Sequence, residues 1–430
     1  MSKARMVAGF AVLMLVLAAC GGDDGGTTPT EGVQLIGADG LLSTTFVEIP
    51  ETAGMFFSGP ALAGSGYEEF LAKYEAKAGS GPIQSFHAHA YDATNILFDA
   101  IEKVAVENGD GSLTISRQGL RDALYETKDF QGLTGTLTCN QYGDCAQPAV
   151  SVYENVDPAE SLGGVFSNVR FTSEPEGAEG KTGPAPGGQA TNASVTVAAG
   201  DPIKIAALEA ISGAVAALGD DQVTAIQVAI DDQGEIKGHP ITLQSEDDTC
   251  GAEGGQAGAE KIVADKQIVG VIGTSCSGAQ RAAMPIFERN GFVMVSGSNT
   301  APDLTATNYL GEGDLVVGES WKYGFFRTAH NDEFQGQGAA QFVYENLGLR
   351  KAATIHDGDP YTQGLVTEFG KFFEALGGEI VLATSINKGD TDMRPVLTEI
   401  QAADPEAIYF PIFQPEGDFV VKQAREIFGS

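Results

Sequence analysis

The residues best placed to do chemistry stand between Val269 and Pro302, in VGVIGTSCSGAQRAAMPIFERNGFVMVSGSNTAP. An apolar run, Ile268 to Ile272, predicts a buried parallel strand, and the small polar residues Thr274, Ser275, Cys276, Ser277 and Gly278 follow it. A helix-period segment runs on to about Arg289, and a second buried strand, Phe292 to Val295, ends in Ser296, Gly297, Ser298, Asn299 and Thr300. Two parallel strands thus end in hydroxyl-bearing loops on the same edge of a sheet, the edge at which such sheets bind ligands. The Ser277 hydroxyl would lie at a helix N-terminus, where free amides and the helix dipole favour an anionic oxygen. Neither loop carries a bulky or basic residue, so the expected anion is a small carboxylate held by hydroxyls and amides. The competing reading is that Ser277 only caps its own helix.

Stepping along the chain, Val33–Ala38 reads as a short buried strand followed by Asp39-Gly40, and Ala53–Gly59 as another. Helices are expected over 67–78, 88–106 and 116–127, the last with Arg117 and Arg121 on its polar side. Residues 157–200 are rich in Gly, Pro, Ala and Ser and read as a disordered linker. Gly180-Lys181-Thr182 within it is no P-loop, because Pro175 stands where the first glycine belongs and no strand precedes it. From Asp201 strands and helices alternate regularly to the helix at 416–427, as in α/β lobes.

With 430 residues the chain is too long for one ordinary core and suits two lobes. A formal charge of −33 without any basic run excludes nucleic acid as a partner. Lys3 and Arg5 precede the apolar run Met6–Leu17, which closes in Leu17-Ala18-Ala19-Cys20; this predicts a secretory signal at 1–20 and a flexible tether at 21–32. In an oxidising compartment the four cysteines after Cys20 are expected to pair. Cys139 and Cys145 enclose a short turn-rich loop, and Cys250 and Cys276 follow adjacent strands. Four cysteines can also hold zinc, but no Cys-x-x-Cys pair is present. His87, His89 and Asp92 form a His-x-His with a carboxylate, yet further ligands are few, so neither metal nor cofactor is expected. No Gly-x-Ser-x-Gly elbow or Ser-His-Asp order supports a hydrolase.

Taken together, PIKIAALEAISGAVAALGDD from Pro202, EDDTC, VIGTSCSGAQ, VSGSNTAPDLT, GFFRTAHNDEFQGQ, HDGDPYTQGL and QPEGDFVVKQARE resemble the substrate-binding proteins of branched-chain amino acid ABC transporters. The resemblance implies an α/β type I periplasmic binding fold, two Rossmann-like lobes joined by a hinge. The family's closing segments stand at the other end of this chain, as VQLIGADG, SGP, FHAHAYDATNIL, FQGLTGTLT and AVSVYENV, so the order is circularly permuted. The first lobe would then comprise 59–147 and 201–325, the second 33–58 and 326–430, with 148–156 at the hinge or second lobe. Residues 157–200 would tie the old C-terminus to the old N-terminus.

By this resemblance Ser277, Ser298 and Thr300 hold the α-carboxylate of an amino acid, and Asp39 pairs with its α-ammonium. Tyr361 covers the ligand, while Phe413 and Phe86 line the side-chain pocket. Phe413 stands where the family often has Tyr, and Leu218 replaces an aromatic residue. Leu-Ala-Ala-Cys resembles a lipobox, which implies lipidation of Cys20. The function implied is capture of a branched-chain or neutral amino acid by an exported, lipid-anchored monomer that serves an ABC permease, not catalysis. A sensor module of the same fold is the first alternative, and an exported α/β enzyme the second.

Overall fold

The computed structural model describes residues 32–62, 66–146, 149–173 and 187–429. The signal segment, Cys20 and nearly all of the tether lie outside these residues. No helix among the described residues is long and apolar enough to cross a membrane.

Two sheets carry the molecule. In the first, six strands run in the order Glu235–Ile236, His239–Asp247, Ile203–Glu209, Ile268–Gly273, Met294–Ser296, Phe325–Arg327. All pair in parallel except the short strand at the edge. Successive side chains point to opposite faces: Ile203, Ile205, Ala207, Val269 and Ile272 pack on one side, with the helices His87–Val104 and Ala216–Gln233. Ala206, Leu208, Ile268 and Val271 pack on the other, with Ala252–Ala264 and Ser277–Asn290. Fully apolar strands are what a sheet covered on both faces requires.

The second sheet has seven strands, in the order Glu379–Ser385, Lys351–His356, Ala407–Tyr409, Gln34–Ala38, Phe56–Pro60, Val150–Glu154, Val169–Ser173. Gln34–Ala38 lies in its centre, parallel to Ala407–Tyr409 on one side and to Phe56–Pro60 on the other. Leu35 and Ile408 face the helices Arg394–Ala402 and Glu416–Phe428, whereas Ile36 and Tyr409 face Asp332–Gln341 and Pro360–Ala375.

Two expectations are corrected. Residues 157–200 are not structureless throughout: Ser161–Ser167 is a helix, and Val169–Ser173 pairs antiparallel to Val150–Glu154. Ser194–Val197 adds a strand to Leu113–Ser116, burying Val195 and Val197. The Gly- and Pro-rich centre hides the apolar residues on its flanks, and those flanks have cores to join. Second, Arg117 and Arg121 are buried rather than on a polar face. Arg117 donates to the carbonyls of Ile268 at 2.8 Å and Lys266 at 3.2 Å, and its guanidinium lies 3.7 Å from the Phe292 ring centre. Arg121 donates to the carbonyls of Gln189, Glu288 and Phe292. Each guanidinium thus satisfies backbone acceptors around strand starts, which lets it be buried without a carboxylate.

Candidate ligand site

The carboxyl ends of the two sheets face each other. From the first come the loops after Ile268–Gly273 and Met294–Ser296; from the second come Asp39, the start of the helix Pro360–Ala375, and Phe413. Between them lies a narrow cavity. Asp39, Ser277, Ser298, Tyr361, Phe413 and Phe86 line it, together with Gly40, Leu218, Ser275 and Cys276. Of the expected contacts, Thr300 alone does not line the cavity; it is buried, and its carbonyl accepts the Asp332 amide at 3.0 Å.

One wall is built from the loops of the first sheet. Cys276, not Ser277, is the N-cap of the helix Ser277–Asn290, and it makes no side-chain capping bond. Ser277 is the first helical residue, and its hydroxyl instead accepts the Ala301 amide at 3.3 Å, so the reading of Ser277 as its own helix cap does not hold. The amides of Ala279 and Gln280 bond the Cys276 carbonyl, and Ser275, Cys276 and Ser277 line the cavity wall. The Cys250–Cys276 disulfide fastens this turn to the loop after His239–Asp247, with the two Cα atoms 5.0 Å apart. The second expected bridge, Cys139–Cys145, also forms. Ser298 donates to the Ser275 carbonyl at 2.8 Å, and Asn299 donates to the Thr274 carbonyl at 2.8 Å, so the two loops are tied together. Behind them the buried Arg327 donates to the carbonyls of Asn299 and Ala301 and pairs with Asp144.

The acidic end is built on the second lobe. Asp39 Oδ1 accepts from the Tyr361 hydroxyl at 2.9 Å and from the Gln335 amide. Both of these side-chain hydrogen bonds go to Oδ1 and neither to Oδ2. Burial pushes the Asp39 carboxyl up to about 6, against the opposing pull of the Gln335 and Tyr361 hydrogen bonds. Asp332, at the start of the helix that carries Gln335, is buried with both carboxyl oxygens unpartnered. Its carboxyl is held well above the ordinary range by burial and by the charge of Asp39, only partly offset by the nearby Thr300 hydroxyl and Arg327. The Thr300 hydroxyl is likewise buried without a well-formed hydrogen bond.

A further acid pair lies beneath the wall. Glu209 accepts from the Ser275 hydroxyl at 2.6 Å, and Asp248 accepts from the Ser275 amide at 2.7 Å. Burial, then the Asp248 charge, holds Glu209 well above its ordinary range, and burial pushes Asp248 up to about 7. Gln335, Asp332, Glu209 and Asp248 were not anticipated; the only signal was an acid closing an apolar run, as Glu209 does after Ile203–Leu208. His87 and Asp92 have other work. His87 bonds Gln84, Asp221 and Tyr67, while Asp92 accepts from Leu133 and Thr134, and no cluster of metal-ligating side chains forms among the described residues.

The family model described as periplasmic binding protein matches residues 202–429, more than half of the chain. The chain belongs to the periplasmic binding protein family. Among curated relatives of this binding protein, the Leu/Ile/Val-binding protein of Citrobacter freundii is 30% identical over 52% of this chain and 58% of its own length. The leucine-, isoleucine-, valine-, threonine- and alanine-binding protein of Pseudomonas aeruginosa is 31% identical over 54% of this chain and 60% of its own. Among solved structures, a leucine-binding protein from Thermotoga maritima aligns with 26% identity and a TM-score of 0.46, over 52% of this chain and 60% of that one. The chain therefore spans about three fifths of the length of these relatives. The family is one of extracytoplasmic solute-binding proteins.

Proposed function

We propose that this protein captures a neutral, branched-chain-type amino acid outside the cytoplasm and delivers it to an ABC transporter permease, as a monomer held to the membrane through a lipid on Cys20. The observation that carries this reading is the placing of Asp39 and Ser277 on opposite walls of one cavity, one from each lobe. A zwitterion has opposite charges on adjacent carbons, so its site needs a carboxylate and anion donors a few ångströms apart. Ser277, Ser298 and the first helical amides take the α-carboxylate, with Thr300 behind them. Asp39, seconded by Asp332, takes the α-ammonium. Phe86, Leu218, Tyr361 and Phe413 leave an apolar space suited to an uncharged side chain. Because the two charges are met from different lobes, only the closed form satisfies both, and ligand holds the lobes together.

The same proposal includes a circular permutation. Two facts support it: the family match begins only at residue 202, and Gln34–Ala38 completes the sheet that Ala407–Tyr409 leaves open. On this reading residues 33–160 supply the family's closing third.

Calorimetry on wild type and Asp39→Ala with L-leucine and with 4-methylpentanoate, the same acid without its amine, tests the ligand reading. Losing one partner of a desolvated charged pair costs about 2–5 kcal/mol, so Asp39→Ala should bind leucine more than about tenfold more weakly. 4-Methylpentanoate should bind wild type poorly and lose little more in the variant. Equal leucine affinity in the two proteins would overturn the assignment of Asp39.

A further inference from the structure

Gln335 is fully buried, and all its neighbours are specific about what they require. Its amide nitrogen faces Asp39 Oδ1, the Ser58 carbonyl at 3.1 Å and the Ser58 hydroxyl at 3.1 Å. Two of these are acceptors only, so the nitrogen must point this way. Its oxygen then meets Nε2 of His330, which must carry the ring proton there. The other ring nitrogen, Nδ1, is buried with no partner, as befits a bare nitrogen rather than a second N–H. His330 is itself buried and stacks on Phe86, a wall of the cavity, with ring centres 6.3 Å apart and planes 17° apart.

This chain of bonds has a direction. Turning the Gln335 amide over would put its oxygen against the Asp39 carboxylate and the Ser58 carbonyl, and its nitrogen against the donor on His330. The acceptors on Asp39 and Ser58 and the donor on His330 therefore agree on which end of the amide faces Asp39. We infer that His330 is a positioning residue for ligand capture: its Nε2–H anchors the oxygen of the Gln335 amide, whose nitrogen clamps Asp39 Oδ1 and so turns Oδ2 to the cationic group of the ligand. His330 does not line the cavity, so it acts through Gln335 and not by contact with the ligand. The inference rests on the amino acid reading only for the identity of that cationic group.

Burial keeps His330 neutral, pushing the imidazole down to about 4, which holds the donor in place across the neutral range. The other titratable groups facing the pair are Asp332, Tyr361 and Tyr409 around Asp39, and His89 and Arg327 around His330. His89 is likewise kept uncharged by burial, with its imidazole pushed down to about 3.

Two substitutions separate positioning from packing. His330→Phe keeps a ring on Phe86 but has no donor. His330→Gln places an amide nitrogen near the position of Nε2 and restores one. The first readout needs no ligand: the carboxyl carbon of Asp39 is followed by NMR against pH in the full chain. His330→Phe should raise the Asp39 midpoint by more than about half a pH unit, because Gln335, the donor to the charged form, loses its anchor, and His330→Gln should leave it within about 0.2 unit of wild type. The second readout is calorimetry with L-leucine, which should weaken about tenfold in His330→Phe and less than about threefold in His330→Gln. Unchanged Asp39 titration in His330→Phe, or equal effects of the two substitutions, would overturn the proposal. If wild type takes up no neutral amino acid, the ligand reading falls, and the titration still decides the role of His330. Long-range proton–nitrogen correlation on His330 in wild type should find the Nε2–H form between pH 5 and 8; a proton on Nδ1 would sink the argument at its root.

Discussion

The Tyr361 hydroxyl bridges the Gly40 amide and the Asp39 carboxylate, accepting from the first at 3.3 Å and donating to the second at 2.9 Å. Tyr361 comes from the start of the helix Pro360–Ala375, whose N-cap Asp359 accepts the Tyr361 amide at 3.0 Å. The bridge spans more than three hundred residues of sequence and ties two strand ends of the second lobe into one acidic corner.

Tyr361→Phe should therefore weaken amino acid binding while leaving the fold intact. A hydrogen bond to a charged group contributes about 1.5–3 kcal/mol, so the loss expected in calorimetry is roughly tenfold to a hundredfold. The 5.3 Å contact between the rings of Tyr361 and Phe413 survives in the variant, so its melting temperature should change little. Unaltered affinity would remove Tyr361 from the site.

The raised Asp39 carboxyl sets a pH dependence with a definite sign. Its ordinary value is 3.8 and burial lifts it to about 6, so the empty site takes up a proton below about pH 6. An ammonium group needs the ionised form. Amino acid affinity should be flat from pH 8 to 7 and fall by about tenfold per unit once pH drops well below 6. Calorimetry across pH 5 to 8 checks this, and a flat profile to pH 5 contradicts it.

The same shifts predict how the ligand-free protein melts. Asp39 and Asp92 are lifted to about 6 and Asp248 to about 7, in each case first by burial. Between about pH 4 and pH 7 these three carboxyls therefore hold more protons in the folded chain than in the unfolded one, which outweighs the opposite effect of the buried His89 and His330. The carboxyls' contribution to stability is complete below about pH 4 and is lost as pH rises through 6 and 7. Scanning calorimetry should give a higher melting temperature at pH 5 than at pH 8.

The two disulfides should separate in their effects. Cys250–Cys276 spans 26 residues, and the chain-entropy estimate for such a loop is roughly 3 to 4 kcal/mol. It also holds the residue before Ser277. Replacing both cysteines by alanine should lower the melting temperature and weaken binding more than about threefold. The same change at Cys139 and Cys145 should lower stability with little effect on affinity, since neither residue lines the cavity. Equal losses of affinity in both pairs would contradict this division.

Much of the site was legible because strand ends announce themselves. Apolar runs that stop at Ser-Cys-Ser or Ser-Gly-Ser place Ser277 and Ser298 on one sheet edge before any coordinate is known, and Asp39 after Ala38 follows the same rule on the other lobe. Gln335, Asp332 and His330 were illegible for a physical reason. They sit in a helix and its approach, where polar residues are ordinary, and their meaning comes only from what another segment brings against them. Arg117 and Arg121 misled in the opposite way: helical spacing puts them on a polar face, but that face meets strand starts whose carbonyls need donors. Ser194–Val197 was overlooked although it alternates as a strand should, because composition averaged over 157–200 drowned four residues. Replacing both Val195 and Val197 by alanine removes about four buried methylene-sized groups, worth roughly 3 kcal/mol, and urea unfolding should register that loss.

The position of Gln34–Ala38 between Ala407–Tyr409 and Phe56–Pro60 also governs the order of assembly. The middle of the second sheet joins residues separated by almost the whole chain, a pairing of very high contact order. In a chain that emerges N-terminus first, the strand that aims Asp39 is made early and must wait, unpaired along one edge, while the first lobe is completed. Such an edge is a target for wrong partners until Ala407–Tyr409 arrives. On the proposed reading, capture of ligand thus becomes possible only with the last strand, and an interrupted chain carries the serine wall without a settled Asp39 to answer it.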